Sequence, residues 1–263
     1  MEFRLLGEVS ARSGAHEIPL GPRQQRLALA VLALEVNRPV PIERLVDAVW
    51  PVSPPRTANH AVRVCVSQLR SVLGDVPGIA VETHGSAYLL RCDPLRIDVH
   101  LFQALIGHAR DADSDERAVE LFDQALKLWH GSPLAGVASP ETRESLCGGL
   151  EVERMVAVED RLDALLRLGR HRDLLGELTS LAEAHPTRER LIGQLMLALY
   201  RSGQASQALE AYRRTRAHLS ETLGVDPGAE LWELELAILR NSPTLRPAAH
   251  CPSCGGPLRR CGT

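Results

Sequence analysis

Two groups of residues in this 263-residue chain combine types and spacing that could do chemistry. The first is Cys251-Pro252-Ser253-Cys254-Gly255-Gly256, with His250 before it and Cys261 after it. Two thiolates spaced in this way can reach one metal ion across a tight turn, and Cys261 and His250 would complete the four ligands of a structural zinc. A regular second Cys-x-x-Cys is missing, so two readings stand: a zinc knuckle, or a cysteine-bearing tail that holds no metal. The second group is Arg63, Val64, Ser67 and Gln68, whose chemistry suits the edges of bases. An arginine can bond guanine through two parallel N–H groups, a glutamine can pair with adenine, and valine can touch a thymine methyl. No catalytic constellation accompanies them. The chain has no phosphate loop of the GxxxxGK[ST] form, and His185-Pro186 fits a turn between helices better than an acid–base pair. The expectation is a protein that is not an enzyme and requires no cofactor, with zinc confined to the tail.

The elements that must position the second group follow from periodicity. Over residues 57–73, Val62, Val66, Leu69 and Leu73 recur at i, i+4, i+7 and i+11 and form one apolar stripe. His60, Arg63, Val64, Ser67, Arg70 and Ser71 fall on another face, with Gln68 at its edge. Such a face resembles any solvated helix surface in isolation; the order of the neighbouring elements gives it meaning. An alternating N-terminal stretch from Phe3 to Val9 predicts a short sheet, and helices are expected over Arg23–Glu35 and Ile42–Trp50. The loop Pro51-Val52-Ser53-Pro54-Pro55 ends the second helix, Thr57 is placed to cap the third, and Gly74 to close it. Ile79–Glu82 and Tyr88–Arg91 then read as a hairpin, completing the order of a winged helix. His84 and Ser86 at the hairpin tip, beside Arg91, would enter a minor groove. The backbone amides at the start of the third helix, with Arg56 and Thr57, would offer a phosphate site.

Beyond Asp98 the pattern is helical throughout. Ala164–Arg170 matches Ala198–Gln204 at an offset of 34 residues, the tetratricopeptide period, with Leu175 falling on Leu209 and Leu178 on Tyr212. Helix pairs of this kind stack to bury apolar faces that neither could bury alone. The division expected is therefore an α+β winged helix-turn-helix domain over 1–95, an all-α tetratricopeptide-like domain over 96–240 and a tail over 241–263.

Charge and composition fit that division. Hydrophobic residues at 44% and charged residues at 24% are the balance of a globular chain. Residues 1–95 hold ten arginines against nine carboxylates, while residues 96–263 hold twenty basic and twenty-four acidic side chains. Nucleic-acid binding must then rest on where individual arginines sit, not on net charge. The absence of a long apolar run and of a leader-like start gives the expectation of a cytoplasmic protein without a membrane partner.

At motif level the chain resembles the Streptomyces antibiotic regulatory protein family over about residues 1–240. The resemblance rests on Gly21-Pro22-Arg23-Gln24-Gln25-Arg26, Leu45–Trp50, Pro54–Asn59, Val66–Arg70 with Leu73-Gly74, and Gly85–Leu90 in the first part. In the second it rests on Asp98–Phe102, Ala125–Gly131, Gly169-Arg170-His171, His185–Leu191, Leu199–Gly203 and Leu223–Pro227. It implies an OmpR-like winged helix followed by a bacterial transcriptional activation domain. It further implies activation of a secondary-metabolite gene cluster by a homodimer bound to direct repeats in double-stranded promoter DNA near the −35 element, with recruitment of RNA polymerase holoenzyme through sigma factor region 4. On related winged helices, positions matching Arg63, Val64, Ser67 and Gln68 contact bases, and those matching Trp50, Thr57 and Arg70 contact phosphates; Gln68 stands where many relatives carry a basic residue. The competing reading is a tetratricopeptide-type adaptor whose winged helix binds protein instead of DNA.

Overall fold

The computed structural model describes residues 2–74 and 76–246. By internal contacts the described residues divide into two compact units: those within 2–111 with 121–155, and those within 112–120 with 156–246.

In the first unit, strands β1 (Glu2–Arg4), β2 (Ser10–Ser13) and β3 (His16–Ile18) form an antiparallel sheet in that order. Helix α1 (Arg23–Leu34) is buried along most of its length from Leu27 to Ala33, as its nearly unbroken apolar run requires. A two-residue strand, β4 (Val40–Pro41), leads directly into α2 (Ile42–Val49), and α3 (Ala58–Leu73) follows the proline-rich loop. Strands β5 (Ala80–His84) and β6 (Ala87–Arg91) make the hairpin, and β4 pairs with β6, giving a second sheet in the order β4-β6-β5. This is a winged helix-turn-helix. Sequence periodicity did not reveal β4, since two residues carry no alternation. Asn37 holds that edge instead: at φ 61° its side chain donates to the Cys92 carbonyl at 2.9 Å and accepts from the Cys92 amide at 3.3 Å. Its short amide tolerates this left-handed backbone and bonds the main chain next to β6.

Two expectations about α3 change. Thr57 occupies the N-cap position but supplies no capping hydrogen bond, because its backbone (φ −94°, ψ 10°) is not extended as a cap requires. Gly74 ends the helix in a right-handed conformation, not the left-handed one of the usual glycine stop. Glycine is needed there for proximity, since a Cβ would stand 2.7 Å from the Arg70 carbonyl oxygen.

The first unit reaches past residue 95. Helix α4 (Asp98–Arg110) begins with a buried aspartate whose carboxylate accepts the Leu5 amide at 2.8 Å and the Leu6 amide at 3.0 Å. Burial pushes the Asp98 carboxyl up to about 6, although the two amides pull the other way. Leu5, Leu6 and Gly7 also give their carbonyls to the amides of Leu134, His130 and Ala135. Phe102 meets Trp129 edge to face, with ring centroids 5.4 Å apart. The chain following the hairpin thus helps to hold the N-terminal sheet, and the unit boundary does not coincide with the 95/96 division expected from sequence.

Two further helices, α5 (Asp115–Leu126) and α6 (Pro140–Arg167), contribute to both units. The second unit continues with α7 (Leu175–Ala184), α8 (Glu189–Arg201), α9 (Ala205–Leu223) and α10 (Ala229–Leu239). The 34-residue repeat is visible in its turns. Gly169 and Gly203 are both left-handed, at φ 77° and 81°, and Arg170 and Gln204 donate back to the carbonyls of Leu165 and Leu199. Each left-handed glycine satisfies the last carbonyls of one helix and releases the chain into the next. The helical domain is therefore built from tetratricopeptide-like repeats.

Candidate nucleic-acid interface

Burial along α3 follows the expected wheel. Val62, Val66, Leu69 and Leu73 are buried, joined by Ala58 and Cys65, whereas Asn59, His60, Arg63, Val64, Ser67, Gln68, Arg70 and Ser71 are exposed. Val64 is 40% exposed, an uncompensated apolar side chain in the middle of a polar face. Arg63 makes no hydrogen bond or ion pair among the described residues, and neither does Arg56. Arg56 and Thr57 are exposed beside the uncapped amides of the α3 start. Trp50 is half-buried at the end of α2, its amide bonded to the Val46 carbonyl.

Arg70 is engaged within the fold. Its Nε donates to the Val81 carbonyl at 2.7 Å and its NH2 group to the Thr83 hydroxyl at 2.6 Å, and the guanidinium lies 5.9 Å from the centre of the Tyr88 ring. Thr83 and Tyr88 are cross-strand partners, so one arginine from α3 grips both strands of the wing. The hairpin turns in two residues, with Gly85 at φ 61° in the first position, as a type II′ turn requires. Both strands therefore run closer to the tip than periodicity indicated.

On the opposite face of the hairpin lies a group that sequence reasoning missed. Glu82 accepts Arg91 through both carboxylate oxygens, at 2.6 and 3.1 Å, and its Oε2 stands 3.1 Å from His84 Nε2. The Arg91 hydrogen bond, followed by that of His84, draws the Glu82 carboxyl down to about 2. Two of the three residues expected to carry the wing into a groove are thus tethered to one carboxylate, while Ser86 stays exposed at the tip. Period-2 alternation puts Glu82 and His84 on one face of β5, but Arg91 joins them only through the register of the hairpin.

His250, Cys251, Cys254 and Cys261 lie outside the described residues. Among the described residues, no group of three or more His, Cys, Asp or Glu side chains is placed to hold a metal, and Cys65, Cys92 and Cys147 are separate buried thiols. No helix among them is long and apolar enough to cross a membrane.

A three-helix core, a short wing and an open third-helix face, followed by helical repeats, define a winged-helix transcriptional regulator. Comparisons with known proteins agree. Residues 15–90 match the family described as "Transcriptional regulatory protein, C terminal", and residues 97–239 match the "Bacterial transcriptional activator domain". The chain is 35% identical to the regulatory protein DnrI of Streptomyces peucetius, over 92% of this chain and 93% of that protein. It is 39% identical to the regulatory protein AfsR of Streptomyces griseus, over 94% of this chain but only 26% of that longer protein. The solved structure of Mycobacterium tuberculosis EmbR, in complex with a low-affinity phosphopeptide, superposes with a TM-score of 0.85 at 31% identity, over 92% of this chain and 65% of EmbR. The chain belongs to the Streptomyces antibiotic regulatory protein family of transcriptional activators.

Proposed function

We propose that this regulator is a sequence-specific DNA-binding activator of a secondary-metabolite gene cluster, in which α3 enters the major groove of promoter DNA. The observation that carries the reading is the open face of α3, where Arg63 has no partner among the described residues and Val64 is exposed beside it. A free guanidinium next to an apolar side chain and the amide of Gln68 is the equipment for reading base edges. Arg56, Thr57 and the uncapped α3 amides would take one phosphate, and Ser86 with His84 and Arg91 would meet the neighbouring minor groove.

In this reading residues 1–95 recognise the operator, residues 96–240 hold two chains together on direct repeats near the −35 element, and RNA polymerase is recruited through its sigma factor. The exposed loop between α2 and α3, with Val52 93% exposed, supports a protein contact beside the DNA. The test is a footprint across the promoters of the adjacent gene cluster, repeated over a range of salt. Protected direct repeats, with affinity falling steeply as salt rises, are expected because phosphate contacts release counterions. Binding without sequence preference or salt dependence would favour the protein-binding adaptor instead.

A further inference from the structure

The second unit contains a cavity of about 290 Å³ between α7 and α9, floored by α8. Its interior is apolar, with Ala182, Ile192, Leu195 and Ala211 all buried. One polar side chain interrupts that lining. Thr215 is 5% exposed and makes no hydrogen bond among the described residues. Its neighbours behave differently: Thr179 on α7 and Thr222 on α9 donate to the carbonyls four residues earlier, at 2.7 and 2.6 Å. A threonine in a helix ordinarily closes that local bond; the Thr215 hydroxyl leaves it open and stays available to a group entering the cavity.

The lip of the cavity is charged. Arg214 and His218 come from α9, one and three residues from Thr215, and Glu183 comes from α7. The flanking arginines are occupied, Arg213 with Glu210 at 3.5 Å and Arg216 with Asp226 at 3.2 Å. Arg214 has no carboxylate partner among the described residues, and Glu183 has no cation.

We propose that this cavity binds a small molecule that joins a carboxylate to an apolar body. The body occupies the space over Ile192 and Leu195, and the carboxylate accepts from the Thr215 hydroxyl and the Arg214 guanidinium, with His218 beside them. A charge-assisted bond to an otherwise unpaired arginine supplies orientation, and the apolar floor supplies most of the buried area. Glu183, at the lip, can take an ammonium where the ligand also carries one, so both simple carboxylic acids and apolar amino acids satisfy the site.

The test uses the full chain and three probes sharing one body: 3-phenylpropionate, L-phenylalanine and 3-phenylpropan-1-ol, titrated by calorimetry or ligand-observed NMR. Saturable binding of the carboxylates is expected, with the alcohol weaker by about tenfold or more. Arg214→Gln should reduce the carboxylates to the level of the alcohol; this exposed, unpaired side chain can change without loss of fold. Thr215→Val, which keeps the shape of the side chain and removes its donor, should weaken the carboxylates. Tighter binding of phenylalanine than phenylpropionate assigns the ammonium to Glu183, and the reverse order assigns the site to simple acids; either supports the carboxylate site. No saturable binding up to millimolar concentration, equal binding of the alcohol, or indifference to Arg214→Gln would each overturn the proposal.

Discussion

The Arg70 guanidinium reaches from α3 to the Thr83 hydroxyl of the wing, 2.6 Å away, and so couples the helix that faces outward to the hairpin beside it. With Val81 as a second acceptor, the contact sets the angle between the two elements. Arg70→Ala should lower stability by roughly 1–3 kcal/mol and weaken binding to cognate and random DNA alike. Arg70→Lys should recover little of either, since an ammonium lacks the planar fork that spans both acceptors. Urea titration beside DNA binding would check this; unchanged stability with reduced binding would instead make Arg70 a direct phosphate contact.

Arg63 should behave differently because it makes no hydrogen bond or ion pair among the described residues. Arg63→Ala is expected to leave the melting temperature unchanged while weakening the cognate site by roughly 1–3 kcal/mol and relaxing preference at one base position. A binding assay on a set of single-base operator variants measures both effects. An unaltered base preference would remove Arg63 from the reading face.

Glu82 restrains the positive charge of the wing. Its carboxyl sits at about 2, so the stability it contributes is present above the ordinary carboxylate value of 4.5 and is lost only as pH falls through about 2. The tether therefore persists throughout the pH range in which DNA binding is measured. Glu82→Gln should free Arg91 and His84, tighten binding to random DNA and steepen the logarithmic salt dependence by about one. A slope equal to that of the wild type would show that Arg91 stays away from phosphate even when released.

Asp98 gives the opposite sign. Its folded value, near 6, lies above the ordinary 3.8, so its contribution to stability is complete below about 3.8 and is lost as pH rises through about 6. Asp98→Asn keeps an acceptor for the Leu5 and Leu6 amides but cannot titrate. The stability difference between wild type and variant should therefore change between pH 4 and 6 by on the order of 2–3 kcal/mol, moving against the wild type as pH rises. Chemical denaturation at a series of pH values gives that difference, and a flat line would mean that Asp98 titrates as an ordinary carboxyl.

How much of this was legible in the sequence depended on the range of the interactions. The open face of α3 was legible because burial of Val62, Val66, Leu69 and Leu73 repeats with the helical period, and the helical repeat because Gly169 and Gly203 mark equivalent turns. The partners of Arg70 and Arg91 were not, since Val81, Thr83 and Glu82 are brought to them by strand register and leave no periodic trace. Asp98 stood out in sequence only within the motif Asp98–Phe102. Its role became visible with the amides it caps, which lie more than ninety residues earlier in the chain.

The bonds made by Leu5, Leu6 and Gly7 impose an order on synthesis. Their partners are Asp98, His130, Leu134 and Ala135, whereas α1 to β6 are complete by Arg91. At translation rates of about 5–20 residues per second, the last of these partners is made on the order of ten seconds after the segment it joins. The reading helix and its wing can therefore assemble on the ribosome while the first strand still lacks its anchors. The nascent chain must keep Leu5 and Leu6 from finding other partners until that stretch emerges.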